Sequence, residues 1–518
     1  MHPDYFQHEE YQNRLKSLEE IRSLGLDPYP PKYPTTRKTS ELHVEWEGKE
    51  AGHFDDAAAG KTPHLFVSGR LVLFRPMGKN AFATLQDETG RIQVMFNREL
   101  TQVAGLPTDQ PALKFLEKKI DLGDFLGIEG HIFRTQKGEL TVFAKSVTLL
   151  SKALLPLPDK HAGVADKGVL YRKRWLDLIT DAESMERFRL RSRILFAIRK
   201  YMNDWNFEEV ETPILQNIYG GAEARPFTTH LNALDQNMFL RISLEISLKK
   251  LIIGGMNRVF EIGKIFRNEG IDRTHNPEFT MMEAYASGWD YFDMMAFTEQ
   301  LFETVALNLI GGTQIRVVKD GAEHTIELKA PWKRLSMVDA VRQYAKIDPL
   351  QASLDELRHL LLSRGALDPK EVHGATRGSL TALLFEAFAE EHLIQPHHII
   401  DHPIETTPLC KPHRDPELRR LGFVERFESF VLGSEMCNSY TELNDPILQR
   451  HLFEEQAKKK AAGDDEAHPF DEEFLEALSQ GMPPTGGVGI GIDRLVMLFT
   501  SAPSIRDILF FPLMRPED

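Results

Sequence analysis

The sequence has little cysteine and no long apolar run. Only two cysteines occur in its 518 residues, Cys410 and Cys437, and their placement does not suggest a disulfide framework. No stretch of about 18 apolar residues is present to span a membrane, and the charged first residues lack the apolar core of a signal peptide. These absences predict a protein without membrane association that works in a reducing cytoplasm.

Positive charge is also scarce, because 62 Lys and Arg face 77 Asp and Glu for a formal net charge of −15. This balance argues against general adhesion to nucleic acid. Residues 67–160 differ, since they carry 13 Lys and Arg against 10 Asp and Glu. A mildly basic segment on an acidic body is compatible with a nucleic-acid partner.

Residues 64–152 alternate between apolar and polar side chains with a period of two. They predict five strands with glycine-containing turns and a helix, PALKFLEKKIDLG, between the third and fourth strands. This layout is typical of an OB-fold barrel, although a small β-barrel used only for packing fits the pattern equally well. Before it, residues 1–63 predict an N-terminal extension with a charged helix that ends at Gly25 and a proline-rich connection.

The rest of the chain mixes helices and strands. After a linker at 153–183, an amphipathic helix is predicted over 184–206. Its apolar face carries Ile194, Ile198, Tyr201 and Trp205. The remaining residues of 184–518 predict one large domain, with a small helical insertion near 348–394.

The stretch FRNEGIDRTHNPEFTMMEAY, residues 266–285, predicts two strands that carry unusual charge for a sheet. The side chains on one face would be Ile265, Arg267 and Glu269 on the first strand, and Phe279, Met281, Glu283 and Tyr285 on the second. Burying such charges without partners costs several kcal/mol each. The pattern therefore indicates either an internal salt-bridge network or a ligand cleft whose substrate supplies the missing charges.

A glycine-rich strand close to the C-terminus is compatible with a ligand as well, although glycines in a strand can also simply accommodate tight packing. Its glycines would let a flat or phosphorylated molecule approach the backbone, and Asp493-Arg494 opens the helix that follows. The spacing fits neither a Walker loop nor the usual Rossmann fingerprint. The glycines are Gly486, Gly487, Gly489 and Gly491.

These segments resemble the motifs of the class II aminoacyl-tRNA synthetases. FRNEG with the returning FTMMEAY resembles motif 2, GIGIDR resembles motif 3, and the helix that ends in ETP at Pro213 resembles motif 1. GGAEARPFTTHLNALD, GDDEA and PPTGGVGIGIDRLVMLF are similar to the bacterial lysyl-tRNA synthetases of this class. The resemblance covers the chain from about residue 64. It implies an α+β protein with an OB-fold anticodon-binding barrel and an antiparallel catalytic sheet flanked by helices.

The resemblance also implies an activity. Such an enzyme activates L-lysine with ATP to lysyl-adenylate, releases pyrophosphate, and transfers lysine to the 3′-terminal ribose of tRNA(Lys), mainly by positioning and electrostatics. It implies a homodimer formed through the helix at 184–206. Independently of the family, three acids in separate segments, Glu245, Glu283 and Glu442, predict a cationic substrate, since converging carboxylates need a cation to remain ionised.

Three other functions are weighed against this activity. An aspartate or asparagine synthetase of the same architecture is opposed by the three acids, because such a pocket would need Arg or Lys. A lysine ligase that acts on a protein lacks the barrel. A noncatalytic RNA-binding relative would have no reason to keep the charged residues of the cleft.

The resemblance implies roles for individual residues. The lysine pocket would comprise Gly221, Glu245, Arg267, Glu283, Tyr285, Asn438, Tyr440 and Glu442, with Gly221 near the α-amino group. ATP would contact Arg267, Glu269, His275, Asn276, Phe279 and Arg494, and the two arginines would be catalytic. Glu428 and Glu435 would bind Mg²⁺. Phe82, Gln93 and Glu139 would contact anticodon bases. For Phe82, Phe279 and Tyr285 an ordinary core position remains an alternative.

Two segments depart from the family's pattern. The family usually has Pro before the first pocket glutamate and Leu-Tyr after it, where this chain has Leu244-Glu245-Ile246-Ser247. The usual Gly-Asn-Gly-Phe is Cys437-Asn438-Ser439-Tyr440. These changes put the shape of the pocket wall in doubt, and Cys437 is expected to be a small packing residue. Loop residues 270–274 receive no role.

Overall fold

The computed structural model describes residues 4–158, 166–365, 369–461 and 467–516. The chain divides into two compact units, Met1–Ala165 and Asp166–Asp518. Two parts of the sequence interpretation lie outside the described residues: the centre of the predicted linker (159–165) and most of the GDDEA segment (463–466). Within the described ranges, no helix is long and apolar enough to cross a membrane.

The first unit is built around a closed barrel. Its helices are α1 (Glu9–Ser23), α2 (Thr39–Glu45), α3 (Phe54–Ala58) and α4 (Ala112–Lys119). Its strands are β1 (His64–Met77), β2 (Asn80–Gln86), β3 (Arg91–Asn97), β4 (Gln102–Val103), β5 (Phe125–Arg134) and β6 (Leu140–Ser151). The strand order is β3-β2-β1-β5-β6-β4, and β3 also pairs with β6, which closes the barrel. The OB-fold prediction is confirmed, with α4 preceding β5 as expected.

Alternation of side chains decides what fills the barrel. Ala81, Ala83 and Leu85 of β2 are buried in the interior together with Ile92 and Val94 of β3. The residues between them therefore point outward, as the period of two requires.

The second unit contains most of the helices. They are α5 (Lys167–Arg172), α6 (Arg174–Thr180), α7 (Ala182–Asp204), α8 (Glu245–Ile253), α9 (Tyr291–Ile310), α10 (Met337–Tyr344), α11 (Leu354–Ser363), α12 (Pro369–Gly374), α13 (Arg377–Phe388), α14 (Pro416–Arg420), α15 (Pro446–Ala461), α16 (Glu472–Ser479) and α17 (Ile492–Thr500). Within the range 348–394, α11 and α13 share a small core that includes Leu357, Leu361 and Leu384.

The strands of the second unit form one large sheet and two small ones. They are β7 (Glu208–Glu209), β8 (Leu215–Gln216), β9 (Thr228–Leu231), β10 (Gln236–Leu240), β11 (Arg258–Phe266), β12 (Glu278–Ser287), β13 (Gln314–Lys319), β14 (Ala322–Glu327), β15 (Lys333–Ser336), β16 (His397–Pro403), β17 (Phe423–Val431), β18 (Ser434–Thr441) and β19 (Thr485–Gly491). The large sheet has the order β15-β16-β17-β18-β19-β12-β11-β7 and is antiparallel except at its two edges. The predicted antiparallel catalytic fold is confirmed.

Helices α7, α9 and α17 supply apolar side chains to the core packed against this sheet. Ile194, Ile198 and Tyr201 of α7 are buried in it, and Trp205, which follows the helix, packs against the same cluster. Asp181 caps α7 by accepting a hydrogen bond from the backbone N–H of Glu183.

The first strand of the FRNEG segment ends earlier than the sequence predicts. It was expected to include Glu269, but β11 ends at Phe266. Arg267 N–H still donates to the carbonyl of Pro277 at 2.9 Å, and Asn268 N–H then turns away to the carbonyl of Arg225 at 2.8 Å. Since Pro277 has no N–H to return a bond, the ladder stops there.

Candidate active site

A cavity of about 450 Å³ lies in the second unit. It is lined by strands β12, β17, β18 and β19, the start of α8, and the loop between β11 and β12. Every residue that the sequence suggested for lysine, ATP or metal binding lines this one cavity. The strand pair that carried too much charge for a core therefore borders a cleft.

One end of the cavity holds the three acids. Glu245 begins α8, Glu283 lies on β12, and Glu442 follows β18, and all three side chains are buried. Glu283 accepts hydrogen bonds from Leu244 N–H at 3.0 Å and from the Tyr285 hydroxyl at 2.9 Å.

Glycines leave the space that these acids occupy. A Cβ on Gly487 of β19 would lie 2.0 Å from Oε1 of Glu442 and 2.5 Å from the ring of Tyr285. Gly221 has a φ of +86°, and a Cβ there would lie 2.0 Å from Oγ of Ser243. Both positions require glycine for close approach, and at Gly221 the backbone conformation requires it as well.

Lys249 is a buried residue of this region that sequence reasoning missed. Its side chain is fully buried one turn after Glu245 on α8, and its ammonium forms ion pairs with Glu245 Oε1 and Glu442 Oε2. Burial alone would lower the pKa of Lys249, but the charges of Glu245 and Glu442 raise it. The four-residue spacing between Glu245 and Lys249 is the sequence feature that could have indicated this ion pair, because it places both side chains on one face of a helix.

The two other acids titrate differently from free glutamate. Burial, followed by the nearby charge of Glu245, raises the pKa of Glu283 to about 7. Burial also raises the pKa of Glu442 well above its ordinary value, and the Lys249 ammonium opposes that rise. Shifts of this size commonly mark functional sites.

The departures from the family's pattern reshape the pocket wall. The Tyr440 hydroxyl donates to Glu245 Oε2 at 2.6 Å, a bond that phenylalanine could not make. Ser439 Oγ donates to the carbonyl of Gly487 at 2.6 Å. Cys437 is buried among apolar side chains, and burial raises the pKa of its thiol to about 12, as suits a packing residue.

Arg267 lines the cavity close to Phe279. Its guanidinium lies 5.2 Å from the centre of the Phe279 ring, and its Nε donates weakly to the carbonyl of Ile242 at 3.4 Å. Burial lowers the pKa of Arg267, although an arginine keeps its charge at neutral pH. The charges of Glu269, Glu435 and Glu283, in that order, oppose this lowering.

The loop between β11 and β12 is held by Asp272. Its carboxylate accepts hydrogen bonds from the backbone N–H groups of Thr274 and His275 and contacts His275 Nδ1 at 2.8 Å. Burial would raise the pKa of Asp272, but these bonds lower it overall. His275 Nε2 in turn lies 3.5 Å from Arg494.

Asn276 presents an unused acceptor to the cavity. Its Nδ2 donates to the carbonyl of Glu278 at 2.6 Å. Its Oδ1 is buried and has no hydrogen-bond partner among the residues that the structure describes. Because buried polar atoms are normally paired, a ligand donor is expected there.

The two carboxylates suggested for Mg²⁺ lie on neighbouring strands. Arg426 donates to Glu428 Oε1 at 2.5 Å and to Asn438 Oδ1 at 3.0 Å. Arg494 donates to Glu435 Oε2 at 3.1 Å. Across the described ranges, no group of three or more His, Cys, Asp or Glu side chains is arranged to hold a metal ion. A divalent ion here would need additional oxygens from the phosphates of a nucleotide, and carboxylates are suitable ligands for Mg²⁺.

Two further arginines near the cavity, Arg426 and Arg191, were not identified from the sequence. Arg426 lies two residues before Glu428 on β17, so strand parity places both on one face. Arg191 of α7 donates to Asp493 Oδ1 at 2.6 Å, and Asp493 Oδ2 accepts from Thr280 N–H at 2.7 Å. This chain of contacts connects the three segments that resemble motifs 1, 2 and 3.

The residues suggested for the anticodon lie in the first unit. Phe82 of β2 pairs with Met95 of β3, and Gln93 lies two residues before Met95 on the same outward face. Gln93 Nε2 donates to Thr141 Oγ1 at 2.8 Å, and Glu139 is exposed just before β6. Phe82 packs on the outer side of the barrel rather than in its interior.

Comparison with known proteins agrees with this geometry. A family model for tRNA synthetases class II (D, K and N) matches residues 166–515, and one for the OB-fold nucleic acid binding domain matches residues 66–150. The lysine–tRNA ligase of Chlamydia caviae is 55% identical over 99% of this chain and 98% of its own. The lysine–tRNA ligase of Chlamydia pneumoniae is 52% identical over 99% of this chain and 98% of its own. That of Enterococcus faecalis is 46% identical over 97% of this chain and 96% of its own. The chain therefore belongs to the family of class II lysine–tRNA ligases.

Proposed function

We propose that this chain activates L-lysine with ATP and transfers it to the 3′-terminal ribose of tRNA(Lys). The observation that carries the proposal is the convergence of Glu245, Glu283 and Glu442 in one buried end of the cavity. The ammonium of Lys249 contacts two of them. The charge that remains suits a substrate with two ammonium groups and disfavours aspartate or asparagine.

Arg267 is proposed to set the orientation of the bound lysine. A guanidinium binds the α-carboxylate of an amino acid in a forked geometry. Glu283 is one of the acids whose charge acts on Arg267, and we assign it to the α-ammonium, close to Gly221. The side chain then extends away from Arg267, so its ε-ammonium reaches Glu442.

ATP is proposed to occupy the other half of the cavity. Phe279 offers a ring for stacking on adenine, and the unpaired Oδ1 of Asn276 is an acceptor for a base amine. Arg267 and Arg494 would bind the phosphates, with Glu269 and His275 beside them. Arg267 and Arg494 are proposed as the catalytic residues, and Arg267 also holds the carboxylate against the α-phosphate and stabilises the charge that develops in the transition state.

Glu428 and Glu435 are proposed to hold Mg²⁺ together with the phosphate oxygens. Bound there, the ion would neutralise charge on the phosphates. Arg426 fixes one carboxylate by its bond to Glu428 Oε1, and Arg494 fixes the other. Both arginines therefore orient the pair before the nucleotide arrives.

We further propose a cytoplasmic homodimer in which the barrel contacts the anticodon. Phe196 of α7 is 72% exposed and Trp175 of α6 is 54% exposed, and exposed aromatic residues of this size commonly mark protein interfaces. On the barrel, Phe82 and Gln93 share the outward face of β2 and β3, which suits stacking and hydrogen bonding to unpaired bases. The two free, buried cysteines fit a reducing compartment.

Pyrophosphate exchange with separate amino acids tests the activity. Lysine is expected to support exchange, and aspartate and asparagine are not. Arg267→Ala should abolish exchange, whereas Arg267→Lys should retain a small part of it, since it keeps the charge but not the fork. Exchange with aspartate but not lysine, or full exchange by Arg267→Ala, would overturn the assignment.

A second assay separates the barrel from the cavity. Gln93→Ala is expected to reduce the charging of tRNA(Lys) at low tRNA concentration about ten-fold, because a lost base contact costs about 1–3 kcal/mol. Lysine-dependent pyrophosphate exchange without tRNA should be unchanged. Equal losses in both assays would contradict a role in tRNA binding.

A further inference from the structure

Lys249 is an internal ammonium placed among the acids that are proposed to bind lysine. Its side chain has no solvent exposure, and its ammonium contacts Glu245 Oε1 and Glu442 Oε2 and lies 5.3 Å from the centre of the Tyr440 ring. Burying a lysine costs several kcal/mol unless acids compensate for it. Lys249 lies where the proposed substrate would place the same group.

A charge count shows what the residue does. Glu245, Glu283 and Glu442 together bring three negative charges when ionised, and Lys249 brings one positive charge. Two negative charges remain. L-lysine has two ammonium groups, and its carboxylate is assigned to Arg267, so the remaining charge equals that of the substrate's two ammonium groups.

Glu442 retains an acceptor for one of those groups. Its Oε2 is paired with Lys249, whereas its Oε1 accepts no hydrogen bond from any residue within the described part of the chain. That oxygen is directed at the space left by Gly487, which borders the cavity. Lys249 thus holds one oxygen of the carboxylate and leaves the other for a ligand.

We propose that Lys249 is a positioning and specificity-determining residue that sets the charge of the amino-acid pocket to match a dication. The proposal rests on lysine activation by this cavity. The Lys249 ammonium opposes the rise that burial causes in the pKa of Glu442, so Glu442 gives up its proton more readily when lysine binds. An analogue without the ε-ammonium, such as norleucine, then leaves one buried negative charge unpaired. Such a site rejects the analogue strongly.

Removing the internal cation changes the protonation of the pocket. Without Lys249, burial and the charges of Glu245 and Glu283 would raise the pKa of Glu442 unopposed, and Glu442 would hold its proton more tightly. Lysine would then have to displace that proton. The other titratable groups around Lys249 are Glu245, Glu283, Tyr285, Cys410, Tyr440 and His468. Burial and the charge of Lys249 lower the pKa of His468 to about 4. Burial raises the pKa values of Tyr285, Tyr440 and Cys410. Of these groups, only the three glutamates are therefore expected to change protonation between pH 7.5 and about 9.

The test measures pyrophosphate exchange of the full chain between about pH 7.5 and 9, above the pKa of Glu283. At pH 7.5 we expect the KM of Lys249→Met for lysine to be at least about 30-fold above that of the unmodified chain. As the pH rises toward 9, this KM should fall about ten-fold per pH unit. The KM for ATP should change less than about three-fold. Lys249→Arg keeps the charge and should show the same pH profile as the unmodified chain, which is less steep. A profile for Lys249→Met that is no steeper than that of the unmodified chain would overturn the proposal.

A double variant tests the charge count in a second way. The double variant Lys249→Met with Glu245→Gln again carries two negative charges, so its KM for lysine should be at least about ten-fold lower than that of Lys249→Met. If Lys249 only filled space, the double variant would be worse than either single one. Failure of the unmodified chain to use lysine would instead reject the proposed function itself.

Discussion

The hydroxyl of Tyr440 donates a hydrogen bond of 2.6 Å to Oε2 of Glu245 and so joins β18 to the first turn of α8. The family usually has phenylalanine at this position. The same glutamate is paired with Lys249 through its other oxygen, so both of its oxygens have partners. Glu245 is thereby held in a single orientation at the end of the pocket.

Tyr440→Phe is expected to weaken lysine binding without affecting chemistry. A hydrogen bond to a charged group contributes about 1.5 kcal/mol, so the KM for lysine should rise about ten-fold while kcat stays the same. Tyr285→Phe is the matched variant, since it removes the donor to Glu283 in the same way. Lysine-dependent pyrophosphate exchange measures both. An unchanged KM in Tyr440→Phe would show that the bond does not orient Glu245.

Gly487→Ala should destroy the amino-acid pocket but spare the nucleotide site. Its Cβ would lie 2.0 Å from Oε1 of Glu442, so the carboxylate would have to leave its place. We expect the KM for lysine to rise by about 100-fold or more, with the affinity for ATP preserved. On the same strand, a Cβ on Gly491 would meet only the side chain of Arg494 at 3.6 Å, an ordinary contact. Gly491→Ala should therefore lose much less lysine affinity, and equal losses would contradict this geometry.

The patterns that were visible in the sequence are those carried by local spacing. The period of two in 64–152 predicts the barrel, and strand parity places Glu283 and Tyr285 on one face of β12. The early end of β11 depends on Pro277 and on a bond from Asn268 to Arg225, which are contacts that no periodicity encodes. Local patterns therefore predict the face of a strand better than its last residue.

The role of Lys249 could not be inferred from its neighbours in the sequence. A lysine four residues after a glutamate normally forms an exposed pair on a helix surface. Here the second partner, Glu442, comes from a distant segment that only the folded sheet brings near. Arg191 and Asp493 are likewise far apart in sequence and meet only after folding. Such pairs were therefore missed.

Glu283→Gln is expected to stabilise the ligand-free protein at alkaline pH. The pKa of Glu283 is raised from its ordinary 4.5 to about 7, so the folded state binds the proton more tightly than the unfolded state does. The free energy of unfolding therefore falls as the pH rises from about 4.5 to 7, by about 3 kcal/mol in total. Above pH 7 the free energy of unfolding of the Gln variant should exceed that of the unmodified chain by up to that amount. At pH 4.5 or below the two free energies should agree. Urea unfolding of both proteins at several pH values measures the difference, and a constant difference would refute the raised pKa.

Asp272→Ala should impair ATP binding through His275 rather than directly. The Asp272 carboxylate contacts His275 Nδ1 and the backbone N–H of the same residue, both at 2.8 Å, and His275 faces Arg494. Loss of these bonds frees the loop, so we expect the KM for ATP to rise about five-fold with an unchanged KM for lysine. Arg273→Ala is the control, because the Arg273 guanidinium donates to the carbonyl of Pro503 at 3.3 and 3.4 Å, and the backbone bond from Ile505 N–H to its carbonyl would remain. If Arg273→Ala raised the KM for ATP as much, general loosening of the loop would explain the loss. If Asp272→Ala instead raised the KM for lysine, Asp272 would act on the pocket acids and not on His275.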